Sequence, residues 1–374
     1  MKTTLTALLF VTSTFATSVR LERVPENGVQ PEVATTADGA VHLIYLNGDP
    51  KASDVRYVRK ATAAREWSTP ITVNSDPGSA IAMGTIRGAK MAIGKDNTIH
   101  VVWNGAMREA ADGKHRSGLF YTRLASGGAA FEAQKDLLGN TLALDGGASI
   151  AADAKGGVFV IWHGARPGTV GDERKRVVFV AKSTDNGATF APTTVANADA
   201  TGTCACCSLT AFMSPAGELF TLYRSAKQVT QRDITLLSSR DGGTTFTQLM
   251  LHPWATGMCP MSSASITMSG KTTLAAWETE GRIFAAPLPG GTYNTAQPVS
   301  GTNAKHPAMA SNARGETVVA WSVGTGWQRG GGLAWAVLDS SGKPTKQHGE
   351  APGVPVWSHT AAYATPDNDF VILH

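Results

Sequence analysis

The chain is poor in charge, in aromatic rings and above all in cysteine. Of its 374 residues 17% are charged and 7% aromatic, and only four are cysteines. The charge is close to balanced, at a formal +4, and no run of lysine and arginine carries interleaved aromatic residues. This excludes the basic footprint of a nucleic-acid-binding protein. No apolar stretch reaches the roughly 20 residues that a membrane-spanning helix needs, so no transmembrane segment is expected. The most apolar stretch lies at the start. Met1-Lys2 forms a short positive region, Leu5 to Phe15 is mostly apolar, and Ala16-Thr17-Ser18 supplies small residues for cleavage. This pattern reads as an export signal over residues 1–18. It assigns residues 19–374, read as one domain, to the periplasm or the secreted fluid. No cysteine lies near the cleavage region, which argues against a lipid anchor.

What the chain does have is glycine and proline, 40 and 18 residues respectively, within a composition that is 42% hydrophobic. That balance can bury a large core and favours turn-rich β structure. One pattern recurs: a short apolar strand, a turn, and a second strand of period 2 that often ends in Trp or Tyr. The copies run over 30–47, 88–105, 147–164, 208–225, 263–278, 306–322 and 359–373. Gly157-Val-Phe-Val-Ile-Trp162 and Thr98-Ile-His-Val-Val-Trp103 are two of the second strands, and Asp38-Gly39 marks a tight turn. Units on the order of 50 residues, each with several short strands, are what a β-propeller blade requires. The expected fold is therefore all-β, a propeller of four-stranded blades. Seven repeats are counted, and a strand near Val19 to Val24 is expected to complete the last and close the ring. A six-bladed ring with an extra terminal strand is the alternative.

Two copies carry a more specific signature. Ser183-Thr-Asp185-Asn-Gly187-Ala-Thr189-Phe190 and Ser239-Arg-Asp241-Gly-Gly243-Thr-Thr245-Phe246 share the pattern S-x-D-x-G-x-T-F. The Asp can accept backbone N–H bonds within a turn, the Gly tolerates positive φ, and the Phe anchors the turn in the blade. These octapeptides resemble the Asp-boxes, or BNR repeats, of the sialidase-like propeller family, which includes the bacterial exo-α-sialidases. The resemblance implies that the Asp-boxes are structural and face away from the active site. It implies an exo-α-sialidase-type glycoside hydrolase or a glycan-binding relative, acting on or binding a glycan or glycoconjugate, and a monomer. Arginines that clamp the substrate carboxylate, a Tyr/Glu nucleophile pair and an acid/base Asp are implied as well.

Propeller geometry places the starts of first strands and the ends of second strands on the face opposite the Asp-boxes. The second strands end at Asn47, Asn104, His163, Arg224, Glu278 and Ser322. Arg87, His306 and His359 precede or open first strands. The catalytic candidates are accordingly Arg87, Arg224, Glu278 and Tyr223. The family's first arginine position reads Val29 here, so the enzyme question stays open on the sequence. His42 and His100 read as surface or hydrogen-bonded side chains, and the charged run Asp172-Glu-Arg-Lys-Arg176 reads as a solvated rim.

The cysteines fall in two short segments, Cys204-Ala-Cys206-Cys207 and Cys259. Cys204 and Cys259 occupy equivalent places before the first strands of successive repeats. A Cys204–Cys259 disulfide is one expectation; it would stabilise by about 3–4 kcal/mol in the chain-entropy model. Cys206 and Cys207 would then pair with each other or stay reduced. The other expectation is a soft-metal site for copper or zinc, or a redox site, with Met258, Met261 and His306 nearby. Three readings thus stand: a glycan-directed propeller, a Cys/Met/His metal or redox protein, and a non-catalytic scaffold for protein interaction.

Overall fold

The computed structural model describes residues 17–109, 115–142, 144–197, 199–228, 230–290 and 296–374. The expected export signal lies outside these residues apart from Thr17 and Ser18. Seven sheets stand radially around one axis. Their innermost strands are Val29–Thr35, Lys90–Ile93, Ser149–Ala152, Thr210–Met213, Ala264–Ser269, Ala304–Ser311 and Ala361–Ala364, in blades 1 to 7. Each innermost strand contacts the next in order, and the seventh contacts the first. The seven-blade expectation therefore holds over the six-blade one. Blades 1 to 6 are four-stranded antiparallel sheets. Blade 7 consists of the two strands of the last repeat, Ala361–Ala364 and Phe370–Leu373, completed by Val19–Glu22 as expected.

Val19–Glu22 closes the ring by pairing with Phe370–Leu373 in register from Val19↔Phe370 to Glu22↔Leu373. This pairing is parallel, unlike the ladders within the other blades. The hairpin connections elsewhere force antiparallel neighbours, but this pair joins the two ends of the fold and carries no such constraint.

Every blade is apolar on both faces, because each is packed between two others. In the second strand of blade 3, Val158–Gly164, the side chains of Val158, Val160 and Trp162 pack toward blade 2, and Phe159 and Ile161 toward blade 4. Alternation thus sorts residues between two buried faces rather than between core and water, which is why this strand reads as continuously apolar. Seven separate clusters fill the seven gaps between blades. The inner strands surround a channel of about 850 Å³ whose lining reaches the turn residues Asp38, Asn312 and Pro366. It is lined largely by small side chains, and the Glu32–Lys90 ion pair lies in its wall, at 2.7 Å.

The two octapeptides form the same turn in blades 3 and 4. Ser183 Oγ donates to Asp185 Oδ1 (2.7 Å) and accepts from Gly187 N (2.9 Å), while Asp185 accepts from both the backbone and the hydroxyl of Thr189. Ser239, Asp241, Gly243 and Thr245 repeat these bonds. The hydrogen bonds donated by Thr189 and Ser183 hold the Asp185 carboxyl well below its ordinary value, and Asp241 is lowered in the same way. Phe190 reaches past its own blade to Tyr121 of blade 2, edge to face at 4.8 Å. Phe246 packs in the cluster between blades 3 and 4. These turns therefore join neighbouring blades.

Gly187 sits at φ +80°, and a Cβ there would lie 1.7 Å from Tyr121 Oη. Gly217 has φ +81° with no atom within 4 Å of such a Cβ. Gly187→Ala is expected to destabilise by about 2–5 kcal/mol, the sum of left-handed strain and overpacking. Gly217→Ala carries only the strain, about 1–2 kcal/mol. Urea unfolding of the two variants measures the difference; equal losses would refute the blade-joining role of Gly187.

Candidate functional site

The loops that enter the inner strands and the ends of the second strands gather on the face opposite the octapeptide turns. There, polar side chains link successive blades. Arg87, entering blade 2, forms an ion pair with Asp145, which enters blade 3; its Nε also donates to the Asp145 carbonyl at 3.1 Å. Asn104, ending the second strand of blade 2, donates to the carbonyls of Asp145 and Gly146, both at 3.1 Å.

His163, ending the second strand of blade 3, is fully enclosed. The Arg176 guanidinium, always a donor, donates a hydrogen bond to His163 Nδ1 at 2.9 Å. The hydrogen on the ring is therefore at Nε2, which donates to the Cys207 carbonyl at 2.8 Å. Burial, then the Arg176 charge, push this imidazole down to about 3, so it is neutral at physiological pH.

Arg224 and Glu278, the second-strand ends of blades 4 and 5, meet each other. Arg224 Nη2 lies 3.3 Å from Glu278 Oε2, and it donates to the Glu278 carbonyl and to Ser262 Oγ (3.1 Å). Nη1 donates to the Arg232 carbonyl at 2.8 Å, and the guanidinium lies 4.9 Å from the centre of the Trp254 ring. Glu278 Oε1 accepts from Gly281 N at 2.7 Å. Both side chains are 2% exposed or less. Tyr223, next in sequence, points into the cluster between blades 3 and 4, where its hydroxyl meets Thr201 Oγ1 at 3.0 Å. The structure thus pairs Arg224 with Glu278, while the Tyr223 side chain turns into an inter-blade cluster and Arg87 pairs with Asp145 instead. His306 opens blade 6, buried, with Nδ1 3.2 Å from Ser263 Oγ and its ring 6.2 Å from that of His359. Burial, then the neighbouring His359, hold it well below its ordinary value.

The four cysteines come together at blades 4 and 5. The disulfide joins Cys206 to Cys259, not Cys204 to Cys259, and Cys204 and Cys207 are free and buried. The reason is a turn. Cys207 N donates to the Cys204 carbonyl at 3.4 Å, so residues 204–207 fold back on themselves. The corner residues Cys204 and Cys207 face inward with their sulfurs 3.5 Å apart, and Cys206, on the bend, reaches the loop of blade 5. The turn is held by Gly146 N on the Ala205 carbonyl (2.8 Å) and by Ala205 N on Glu173 Oε1 (2.8 Å).

Several of these partners lay outside the sequence expectations. Glu173 and Arg176 belong to the segment expected as a solvated rim. Glu173–Lys175 is a single 3-10 turn, in which residues three apart share a face. Glu173 and Arg176 therefore turn inward, to Arg232 (2.6 Å) and His163, while Arg174 and Lys175 stay in solvent. His42 and His100 are buried rather than at the surface; their Nδ1 atoms bond the hydroxyls of Tyr57 (2.7 Å) and Tyr121 (2.8 Å). Asp145 stands before the first strand of its blade much as Arg87 does, so the positional rule reaches it as well. Trp327 and Trp357 lie in loops of blade 6 and before blade 7. Trp327 is 52% exposed and packs edge to face on Trp357 at 4.6 Å. A Cβ on Gly84 would lie 3.3 Å from Arg87 Nη1 and 3.6 Å from the Trp327 ring, so the guanidinium and the indole flank the same glycine.

No protein-family model matches the chain, and no curated protein sequence matches it. Similar solved structures include a Penicillium chrysogenum α-L-arabinanase complexed with arabinobiose, 14% identical, TM-score 0.55, over 87% of this chain and 98% of that one. They include a Hadza microbial sialidase, also 14% identical, TM-score 0.53, over 87% of this chain and 66% of that one. A Trypanosoma rangeli sialidase is 14% identical with TM-score 0.52, over 82% of this chain and 54% of that one. The chain thus spans less than two thirds of the length of either sialidase. It has a sialidase-like β-propeller fold, one shared by hydrolases of different sugars, so the fold alone names no substrate.

Because Arg224 and Glu278 are buried against each other, removing one strands the charge of the other. Arg224→Ala is expected to destabilise by about 3–5 kcal/mol, and the paired replacement Arg224→Met with Glu278→Leu by much less. Denaturant unfolding of both variants tests this; equal losses would contradict the pairing.

Proposed function

We propose that the chain is an exported glycan-binding propeller of sialidase-like build, in which sugar rings dock on Trp327 beside the Arg87–Asp145 pair. The observation that carries this reading is the half-exposed Trp327 ring next to a charged pair on the face where second strands end. A flat aromatic surface with a few fixed polar groups suits a sugar, whose ring faces are apolar and whose edges carry hydroxyls. Asp145 and Arg87 would then accept from and donate to those hydroxyls. The Cys206–Cys259 bridge fits an oxidising compartment and hence the export reading.

Binding is favoured over turnover by the state of the catalytic candidates. A glycosidase of the usual kind needs two carboxyl groups at the substrate, and the sialidase type needs a Tyr/Glu pair. Arg224, Glu278 and Tyr223 are 3%, 1% and 2% exposed, so they form no open constellation around Arg87.

The test is calorimetric titration with sialyl and arabinosyl oligosaccharides, alongside a fluorogenic sialoside assay. Saturable binding that weakens at least about tenfold in Trp327→Ala, with unchanged thermal stability and no sialoside turnover, is expected. Absence of binding to either class would overturn the reading, and turnover abolished by Glu278→Gln would replace it with the hydrolase.

A further inference from the structure

The four sulfurs form a path from the surface to the interior that glycan binding does not use. Cys259 is exposed and Cys206, its bridge partner, is half-buried. Cys204 Sγ lies 3.4 Å from Cys206 Sγ, and Cys207 Sγ lies 3.5 Å from Cys204 Sγ, with both inner residues buried. Each step is at the separation of a near-attack arrangement, about 3–3.5 Å. A structural bridge needs no second pair of thiols held against it, and two inert buried thiols have no reason to line up with a disulfide.

We propose that this cluster is a thiol–disulfide relay that moves a disulfide between an outer pair, Cys206–Cys259, and an inner pair, Cys204–Cys207. Cys204, having passed its proton to Cys207, attacks Cys206. The Cys204–Cys206 bond forms, the Cys206–Cys259 bond breaks, and Cys259 leaves as a thiolate that takes a proton from water. Cys207 releases to water the proton it took from Cys204 and then attacks Cys204. The Cys204–Cys207 bond forms, and Cys206 leaves and is protonated. Two electrons have moved from the inner pair to the outer pair; the inner pair, which began as one thiol and one thiolate, has released one proton to water, the outer pair has taken two from it, and no outside oxidant is consumed. The outer dithiol then faces solvent, where it can reduce an external disulfide and so regenerate its own bridge.

The surroundings place the resting proton on Cys204 and the resting charge on Cys207, so the transfer that frees Cys204 as a nucleophile runs uphill and sets the pace of the relay. Burial raises the Cys207 thiol, but the Cys204 thiol that donates to it, the Arg224 charge and a backbone N–H outweigh this and leave it below its ordinary value. Cys204 is raised, chiefly by that same hydrogen bond and by burial. The negative charge of the inner pair is therefore favoured on Cys207, the group placed to take the Cys204 proton, and the C-x-x-C turn sets the two sulfurs face to face.

The experiment is a trapping assay on the native protein in the absence of reductant. The protein is held in excess N-ethylmaleimide, quenched in acid, and mapped by mass spectrometry of its cysteine peptides. Cys259 is expected to become alkylated with time while a disulfide appears between Cys204 and Cys207 or Cys206. Cys204→Ser should slow Cys259 labelling at least about tenfold, because it removes the first nucleophile. Cys207→Ser removes both the proton acceptor of the first step and the nucleophile of the second, so Cys259 labelling should slow and Cys204–Cys206 should be the one new bridge that forms. If Cys259 in the wild type stays bridged to Cys206 and unlabelled throughout, the relay is wrong, whatever the variants do. Isolation of the protein with four reduced cysteines and stoichiometric copper or zinc would equally overturn it, in favour of a soft-metal centre.

Discussion

A blade with two apolar faces cannot exist alone, and the whole structure depends on that constraint. Each sheet needs a neighbour on both sides, so the seven must form a closed circle, and the circle must be fastened where the chain ends meet. Val19–Glu22 against Phe370–Leu373 is that fastening. It turns distance along the chain into a fixed repeat in space. Residues about one blade apart in sequence, such as Arg224 and Glu278 or Cys206 and Cys259, become neighbours because their blades are neighbours.

The two ends of the gaps beside blades 3 and 4 are held differently. At the octapeptide face, aromatic rings and self-contained Asp turns reach across, as Phe190 does to Tyr121. At the opposite face the links are polar and partly charged: Arg87 with Asp145, His163 with the Cys207 carbonyl, Arg224 with Glu278. That face also holds unusual backbone. Gln30 and His306, each before a proline at the start of an inner strand, are left-handed at φ +54°, and each sits within an irregularity of its ladder. Such conformations cost free energy and persist only where the surroundings determine them, which marks this rim as the part of the propeller built for more than packing.

The fold was legible because its rule is periodic. Alternating apolar strands, glycine turns and two octapeptides repeat often enough to outweigh any single ambiguous segment, and the closing strand was anticipated from the incomplete last repeat. The parallel sense of that closure was not, since it leaves no pattern in composition. The rim was half legible. Position along each repeat pointed to Arg224, Glu278 and the cysteines, but not to which partner each would choose. That choice depends on local turns: the bend at Cys204–Cys207 selects Cys206 for the bridge, and the 3-10 turn at Glu173–Lys175 rotates Glu173 and Arg176 inward from a segment that reads as solvated charge. Trp327 was missed because an aromatic in a glycine-flanked loop is indistinguishable, in sequence, from one that packs.

The most direct test of this account is native-state hydrogen exchange on the strand Phe370–Leu373. If ring closure holds the fold together, these amides, near the very end of the chain, exchange only by global unfolding, as slowly as those of the inner strands of blades 3 and 4. Fast, fraying exchange at Phe370–Leu373, with the other inner strands still protected, would show that the ring stands without its closure and would contradict the account.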